Sequence, residues 1–106
     1  MIVLDTSAAI ELLLNLPLGP QVRDRISDPD VALHAPELLT VEVLQVLRRR
    51  VAAGATRANE AGEAIEFLGL LDVSYHGHAP LVPRIWGLRN NLTAYDATYV
   101  ALAELS

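Results

Sequence analysis

The fold class is decided at residues 2–7, IVLDTS. Residues 2–4 form a short apolar run that starts with two β-branched side chains, and such side chains favour a strand. The run ends at Asp5, Thr6 and Ser7, residue types whose side chains cap a helix by accepting a backbone N–H. The stretch therefore predicts a buried strand that leads directly into a helix, as in α/β proteins.

Strands and helices alternate along the rest of the chain. The predicted strands cover 2–4, 31–34 and 72–75. The predicted helices cover 8–14, 21–26, 36–53, 57–71, 81–90 and 94–105, with Thr56 and Thr93 as the expected caps of the fourth and the last. The order βααβααβαα predicts an α/β fold, a three-layer α/β/α sandwich with a mostly parallel sheet. In such a sheet the ligand site lies beyond the carboxyl ends of the strands.

Composition narrows the class of protein. The chain has 106 residues, of which 52% are hydrophobic, and this is enough for one globular domain. It contains no cysteine, which excludes disulfides and thiolate metal sites. The apolar stretch near the N-terminus is interrupted by Glu11, Asn15 and Pro17, so we expect no membrane span and no secretory signal. These features predict a cytoplasmic protein.

The net charge of −5 argues against a protein that binds nucleic acid through a broad basic surface. It argues less against a nuclease, because bound cations neutralise an acidic catalytic centre. All basic residues are Arg, and residues 48–50 form a run of three. We interpret this run as a solvated helix face, with an RNA or protein contact as the alternative. The preference for Arg also fits a bias in genomic base composition.

Two carboxylates at predicted helix starts have no basic neighbour in the sequence. Asp5 directly follows the first strand, although a role as helix cap alone explains it equally well. Asp96 follows Thr93 by three residues, which is the spacing of a capping box with Asp in place of Glu. For each of the two, capping and a functional role remain alternatives.

Glu42 is the least ordinary of the acids, because it lies within an apolar helical stretch. Its neighbours three and four positions away are uncharged: Leu38, Leu39, Gln45 and Val46. No helical salt bridge is available to it, and the apolar surroundings predict burial. A buried carboxylate needs compensation from a distant Arg, a proton or a metal ion.

Taken together, Asp5, Glu42 and Asp96 suit a hard cation that prefers oxygen ligands, such as Mg²⁺ or Mn²⁺. A metal site of this kind activates water and assists attack on a phosphate. The spacing of the three acids along the sequence does not show whether they converge.

At these same residues the sequence resembles the PIN-domain family, and within it the VapC toxins of bacterial toxin–antitoxin pairs. Three segments carry the resemblance: residues 2–8 (IVLDTSA), residues 35–44 (APELLTVEVL) and residues 88–104 (LRNNLTAYDATYVALAE). The third segment is highly specific, and the resemblance covers essentially the whole chain.

The resemblance implies a ribonuclease that depends on Mg²⁺ or Mn²⁺, with Asp5, Glu42 and Asp96 as the first three acidic metal-site positions. It implies RNA as substrate, a homodimer, and a VapB-type antitoxin whose C-terminal segment covers the acidic site. Thr6 matches a hydroxyl position beside the first acid. We add Thr93 as a secondary residue, and Arg89 as a contact for phosphate or carboxylate.

The sequence departs from the family at its end. The family pattern continues past the last helix into a strand and a fourth acidic residue, whereas this chain stops at Ser106. We therefore expect a single PIN-like domain over residues 1–106 that lacks the final strand. The alternative function is a catalytically inactive PIN-like module that binds antitoxin or RNA.

Two other functions find less support. A phosphohydrolase of the haloacid-dehalogenase kind needs a second acid two residues after the first, and Ser7 stands there. A nucleotide-binding glycine loop is missing from the sequence. Residues 76–78, His-Gly-His, are interpreted as a loop, and Trp86 as a core or interface residue in preference to a base-stacking one.

Overall fold

The computed structural model describes residues 1–105, and their centre is a parallel sheet of three strands. The strands are β1 (Ile2–Val3), β2 (Leu33–Pro36) and β3 (Val73–His76), in the spatial order β1-β2-β3. Val3 pairs with His34, and His34 pairs with Ser74. The parallel sheet predicted from the sequence is confirmed.

Six α-helices surround the sheet in the predicted order. They are α1 (Thr6–Leu13), α2 (Gly19–Ile26), α3 (Leu38–Ala52), α4 (Ala58–Leu70), α5 (Val82–Gly87) and α6 (Ala94–Glu104). A short 3₁₀ turn, Ala79–Leu81, precedes α5. No helix within residues 1–105 has the length and apolar character needed to cross a membrane.

The core lies on both faces of the sheet, which confirms the three-layer arrangement. The larger cluster joins Leu33 and Ala35 of β2 to buried side chains of α1, α3 and α4. The smaller cluster joins Val3 on the opposite face to Leu81, Ala101 and Leu102. Each large side chain buried in this way contributes about 1.5–3 kcal/mol from removal of its apolar surface from water.

Helix α3 is buried along one face and exposed along the other, and Glu42 is half-buried. The expectation that apolar neighbours surround Glu42 on almost every side is therefore wrong. Leu39, Val43 and Leu47 recur every fourth residue and face the core, as expected for one helix face. On the outer face Val41 is 66% exposed and Leu44 is 41% exposed. Because α3 belongs to an outer layer, one of its apolar faces packs on the core and the other stays exposed within residues 1–105.

Strand β2 starts and ends two residues later than the sequence predicted. Val31 looks like a strand residue, but its N–H donates to Asp28 O at 3.0 Å and so belongs to a turn. Pairing with β1 starts only at Leu33. Helix α3 likewise begins at Leu38 and not at Pro36, which is the last residue of β2.

Two further helix ends differ from the prediction. Thr56 does not cap α4, since its hydroxyl accepts from Arg50 Nε at 2.8 Å. The cap residue is Arg57, whose backbone N–H donates to Glu60 Oε1 at 3.1 Å. Helix α5 ends at Gly87 and not near residue 90, because the chain from Leu88 continues in turns toward Thr93. Ser106, where the chain was noted to stop, lies outside the described residues.

Candidate active site

The site begins where β1 ends. Asp5 is exposed and caps α1, because its Oδ1 accepts a hydrogen bond of 2.8 Å from the backbone N–H of Ala8. The capping role considered from the sequence is therefore correct. The cap uses only one oxygen of the carboxylate, and the polar end of the strand is held in place by the start of a rigid helix.

Glu42 is half-buried and is bound by two hydroxyl groups. Thr6 Oγ1 donates to Glu42 Oε1 at 2.9 Å, and Tyr99 Oη donates to the same oxygen at 2.6 Å. The two hydroxyl oxygens are themselves 2.9 Å apart. Each hydroxyl has one proton. When both hydroxyls donate to Glu42, neither can also donate to the other, so the contact of 2.9 Å between them is not a hydrogen bond at that moment. The contacts seen here come from two hydroxyl groups, a form of compensation that the sequence did not suggest.

The second oxygen of Glu42 is available to a ligand. Within residues 1–105 no protein group makes a hydrogen bond to Oε2, and no side-chain oxygen that is fully buried lacks a partner. Oε2 is therefore reached by solvent. The two hydroxyls fix the orientation of the carboxylate through Oε1 and leave Oε2 free to bind a cation.

Asp96 lies in the first turn of α6, and its carboxylate is exposed. Its backbone N–H donates to Thr93 Oγ1 at 3.1 Å, which confirms Thr93 as the helix cap. The positive end of the helix dipole favours a negative charge at this position. Thr93 thus holds the backbone at the start of α6, and it does not line the cleft that contains Asp96.

One cleft of about 490 Å³ brings the three acids together. Its lining residues are Asp5, Thr6, Ser7, Glu42, Leu92, Asp96, Tyr99 and Val100. No basic side chain is among them, and the ion pair found within residues 1–105 joins Arg84 to Glu104 elsewhere. Three carboxylates from β1–α1, α3 and α6 therefore share a cleft without a protein cation.

The donor set fits a hard divalent cation, although the side chains are not gathered around one point. Among residues 1–105, no three His, Cys, Asp or Glu side chains lie close enough together to hold a metal ion as they stand. Like charges disfavour close approach of free carboxylates. Oxygen ligands without a competing Lys or Arg are the ligands that Mg²⁺ and Mn²⁺ prefer.

Tyr99 is the site residue that sequence reasoning missed. Burial raises the pKa of its phenol, and the hydrogen bond to Glu42 and the charges of Glu42 and Asp5 raise it further, against an opposing effect of Thr6. The phenol therefore stays protonated and remains a donor to Glu42 at neutral pH. Its position three residues after Asp96, on the same face of a helix, was the available signal.

The other candidates are placed outside the cleft. Arg89 Nη1 donates to Trp86 O at 3.0 Å, and its guanidinium lies 4.6 Å from the centre of the Trp86 ring. Arg89 thus packs on Trp86 and does not line the acidic cleft. Trp86 itself is 67% exposed, so a core position is wrong, and the interface position stays a prediction.

The histidines have structural contacts. His76 is the last residue of β3, not part of a loop, and its Nε2 lies 2.7 Å from Nδ1 of His34. His78 follows in the predicted loop, and its Nε2 accepts from the backbone N–H of Leu38 at 3.1 Å. These contacts join β2, β3 and the start of α3, away from the acidic cleft.

Comparison with known proteins agrees with this geometry. The sequence pattern of the PIN domain matches residues 2–106, and the chain belongs to the PIN-domain family. It is similar to three ribonucleases of Mycobacterium tuberculosis. It is 40% identical to VapC9, and the match covers 98% of this chain and 78% of VapC9. It is 38% identical to VapC12, and the match covers 98% of this chain and 79% of VapC12. It is 36% identical to VapC3, and the match covers 97% of this chain and 74% of VapC3. The resemblance to VapC toxins noted from the sequence is confirmed.

Proposed function

We propose that this chain is an endoribonuclease that depends on divalent metal ions and acts as the toxin of a VapBC-type toxin–antitoxin pair. The observation that carries the proposal is the single cleft in which Asp5, Glu42 and Asp96 meet without a basic residue. The family assignment and the ribonuclease names of the relatives support it. The same names give no support to the alternative, an inactive binding module.

Asp5, Glu42 and Asp96 are the residues that would hold one or two Mg²⁺ or Mn²⁺ ions. When bound, such ions supply an activated water and neutralise the charge of the phosphate that is attacked. Without them the cleft would repel RNA, because its only charged side chains are acidic. Catalysis and productive RNA binding are therefore expected to depend on the same ions.

The remaining residues of the cleft orient the carboxylates. The α1 cap fixes one oxygen of Asp5, and Thr6 and Tyr99 fix one oxygen of Glu42. Asp5 and Glu42 thus each keep one oxygen for a ligand while the other is held by the fold. Such contacts to the ligands of a metal site typically change affinity or activity by about 10–100-fold when they are removed.

We further propose a VapB-type antitoxin as inhibitor and a homodimer as the working form, both from the family resemblance. Large apolar side chains that remain exposed in the single chain, such as Val41 and Leu70, support a protein partner. RNA as substrate agrees with the cytoplasmic location expected from the sequence.

The test combines metal binding and RNA cleavage. Titration calorimetry with Mn²⁺ and cleavage of a total-RNA preparation are measured for the parent and for Asp5→Asn, Glu42→Gln and Asp96→Asn. We expect all three variants to lose cleavage and to bind Mn²⁺ more weakly, and a chelator to abolish cleavage by the parent. Glu66→Gln is the matched control, because Glu66 is exposed on α4 and does not line the cleft. Unchanged Mn²⁺ binding in the three variants contradicts the metal site, and a parent that cleaves equally well in chelator contradicts the mechanism.

A further inference from the structure

A second cleft adjoins the acidic one and differs from it in character. Its volume is about 430 Å³. Its lining residues are Thr6, Leu38, Val41, Glu42, Gln45, Val46, Arg49 and Tyr95. Thr6 and Glu42 line both clefts, so the two are continuous at Glu42. A strand of substrate that reaches the acidic cleft can therefore extend into this one.

Arg49 supplies the cation of the second cleft. It lies on α3 two helical turns after Glu42 and on the same face, at roughly 10 Å along the axis. Its side chain is exposed and is not part of the ion pair found within residues 1–105. A free guanidinium binds phosphate oxygens in a bidentate way. Arg49 is thus placed for a phosphate about two turns of helix away from the acids.

Tyr95 supplies an aromatic surface in the same cleft. It directly precedes Asp96 in α6 and is 62% exposed, so its ring does not serve the core of this chain. An exposed aromatic ring beside a basic side chain is the usual platform for single-stranded nucleic acid, since a base stacks on the ring while the cation holds the backbone. The amide of Gln45 can both donate to and accept from a base edge.

The cleft on the other side of the acids lacks this combination. It is continuous with the acidic cleft through Asp5 and Ser7, and it contains a basic residue, Arg25. None of its lining residues is aromatic. Of the two clefts that adjoin the acidic one within residues 1–105, the one at the junction of α3 with the start of α6 therefore combines an aromatic ring with a basic side chain.

We propose that the cleft lined by Arg49 and Tyr95 holds one nucleotide of single-stranded RNA next to the phosphate that is cleaved. Arg49 binds the phosphate of that nucleotide, and Tyr95 stacks on its base. The proposal rests on the ribonuclease function proposed above and adds which residues bind the nucleotide beside the cleavage position. It also explains how a chain of net charge −5 attracts RNA locally without a broad basic surface.

The test measures RNA binding separately from cleavage. A short fluorescein-labelled single-stranded RNA, 2′-O-methylated so that it resists cleavage, is titrated in Mg²⁺ against the parent chain with fluorescence anisotropy as readout. Arg49→Ala and Tyr95→Leu are then added to this chain one at a time. We expect each to weaken binding about tenfold, as is typical for loss of a stacking residue. Tyr95→Phe keeps the ring and is expected to bind like the parent.

Two measurements separate the roles of the residues. The slope of log affinity against log salt concentration reports how many phosphate contacts are made. Arg49→Ala is expected to reduce the magnitude of this slope by about one, whereas Tyr95→Leu leaves the slope unchanged. Arg48→Ala is the matched control on the same helix, because Arg48 is exposed and does not line the cleft. Both test positions are exposed, so thermal unfolding of the variants is expected to match that of their parent.

Other outcomes overturn the proposal. If Arg49→Ala and Tyr95→Leu both bind RNA as tightly as the parent, the nucleotide site is rejected, while cleavage by the parent still supports the ribonuclease. Binding by Tyr95→Phe as weak as by Tyr95→Leu assigns the effect to the hydroxyl and rejects stacking. If the two substitutions weaken binding of an antitoxin peptide and not of RNA, the cleft is a protein-binding surface. If the parent neither cleaves RNA nor binds the cleavage-resistant RNA, the ribonuclease function fails, and the nucleotide site fails with it.

Discussion

Tyr99 Oη donates a hydrogen bond of 2.6 Å to Glu42 Oε1 across 57 positions of the chain. The contact joins α6 to α3 at the floor of the acidic cleft and leaves Glu42 Oε2 accessible. Together with the hydroxyl of Thr6, it holds the carboxylate by one oxygen. Tyr99 is thus a positioning residue for Glu42, and its effect can be separated from that of the acid itself.

We expect Tyr99→Phe to keep the fold and to weaken Mn²⁺ binding and RNA cleavage by about 10–100-fold, because Glu42 loses a donor that orients it. Calorimetry and cleavage rates measure the two effects. Tyr75→Phe is the control, since Tyr75 lies on β3 and does not line the acidic cleft. A Tyr99→Phe variant with the metal affinity and rate of the parent would show that Thr6 alone is sufficient to orient Glu42.

The hydroxyl of Thr6 can be tested with two substitutions of different chemistry. Thr6→Val keeps the shape and removes the donor to Glu42 Oε1, whereas Thr6→Ser keeps the donor. We expect Thr6→Val to lose about tenfold in cleavage rate and Thr6→Ser to stay near the parent. Equal losses in both variants would assign the effect to packing of the methyl group and not to the hydrogen bond.

The stability of the protein is expected to fall at alkaline pH because of Tyr99. Burial, with the hydrogen bond to Glu42, raises the pKa of its phenol above the ordinary 10.0. The folded state therefore holds this proton more tightly than the unfolded chain does. The resulting stabilisation is fully present below pH 10.0 and is lost as the pH rises through the pKa that Tyr99 has in the folded state.

Urea unfolding in a chelating buffer at a series of alkaline pH values measures this dependence. We expect the decrease in the free energy of unfolding above pH 10.0 to be steeper in the parent than in Tyr99→Phe, which lacks the titrating group. Parallel curves for the two proteins would refute the assignment to Tyr99.

The amphipathic character of α3 gives a prediction for the core. Leu39 is fully buried against the sheet, whereas Leu44 on the same helix is on the exposed side. We expect Leu39→Ala to lower the free energy of unfolding by about 2–5 kcal/mol, since it removes buried methyl groups and leaves a cavity. Leu44→Ala, the matched control, is expected to cost less than about 1 kcal/mol. Urea denaturation decides between these values, and equal losses would mean that the outer face of α3 is covered in solution.

Much of the fold was predictable because its signals are local. Apolar runs and cap residues close to one another in sequence, such as Thr93 before Asp96, decide where strands and helices form. The order of elements and the parallel sheet follow from them. The errors fell at element ends: Val31 is drawn into a turn by Asp28, and Thr56 is bound by Arg50, contacts that periodicity does not reveal.

Local signals along the chain were enough to predict the alternation of strands and helices, the family, and three acids without basic neighbours as candidate ligands. The packing of the helices on the sheet was needed to show that Asp5, Glu42 and Asp96 line one cleft. It also showed that Thr6 and Tyr99 bind Glu42 from 36 and 57 positions away. It also decided that Arg89 packs on Trp86 and that Arg49 and Tyr95 share a cleft. The physical reason is that hydrogen bonds and electrostatic contacts act over a few ångströms in space. Their partners are set by how helices pack on the sheet and not by spacing along the chain.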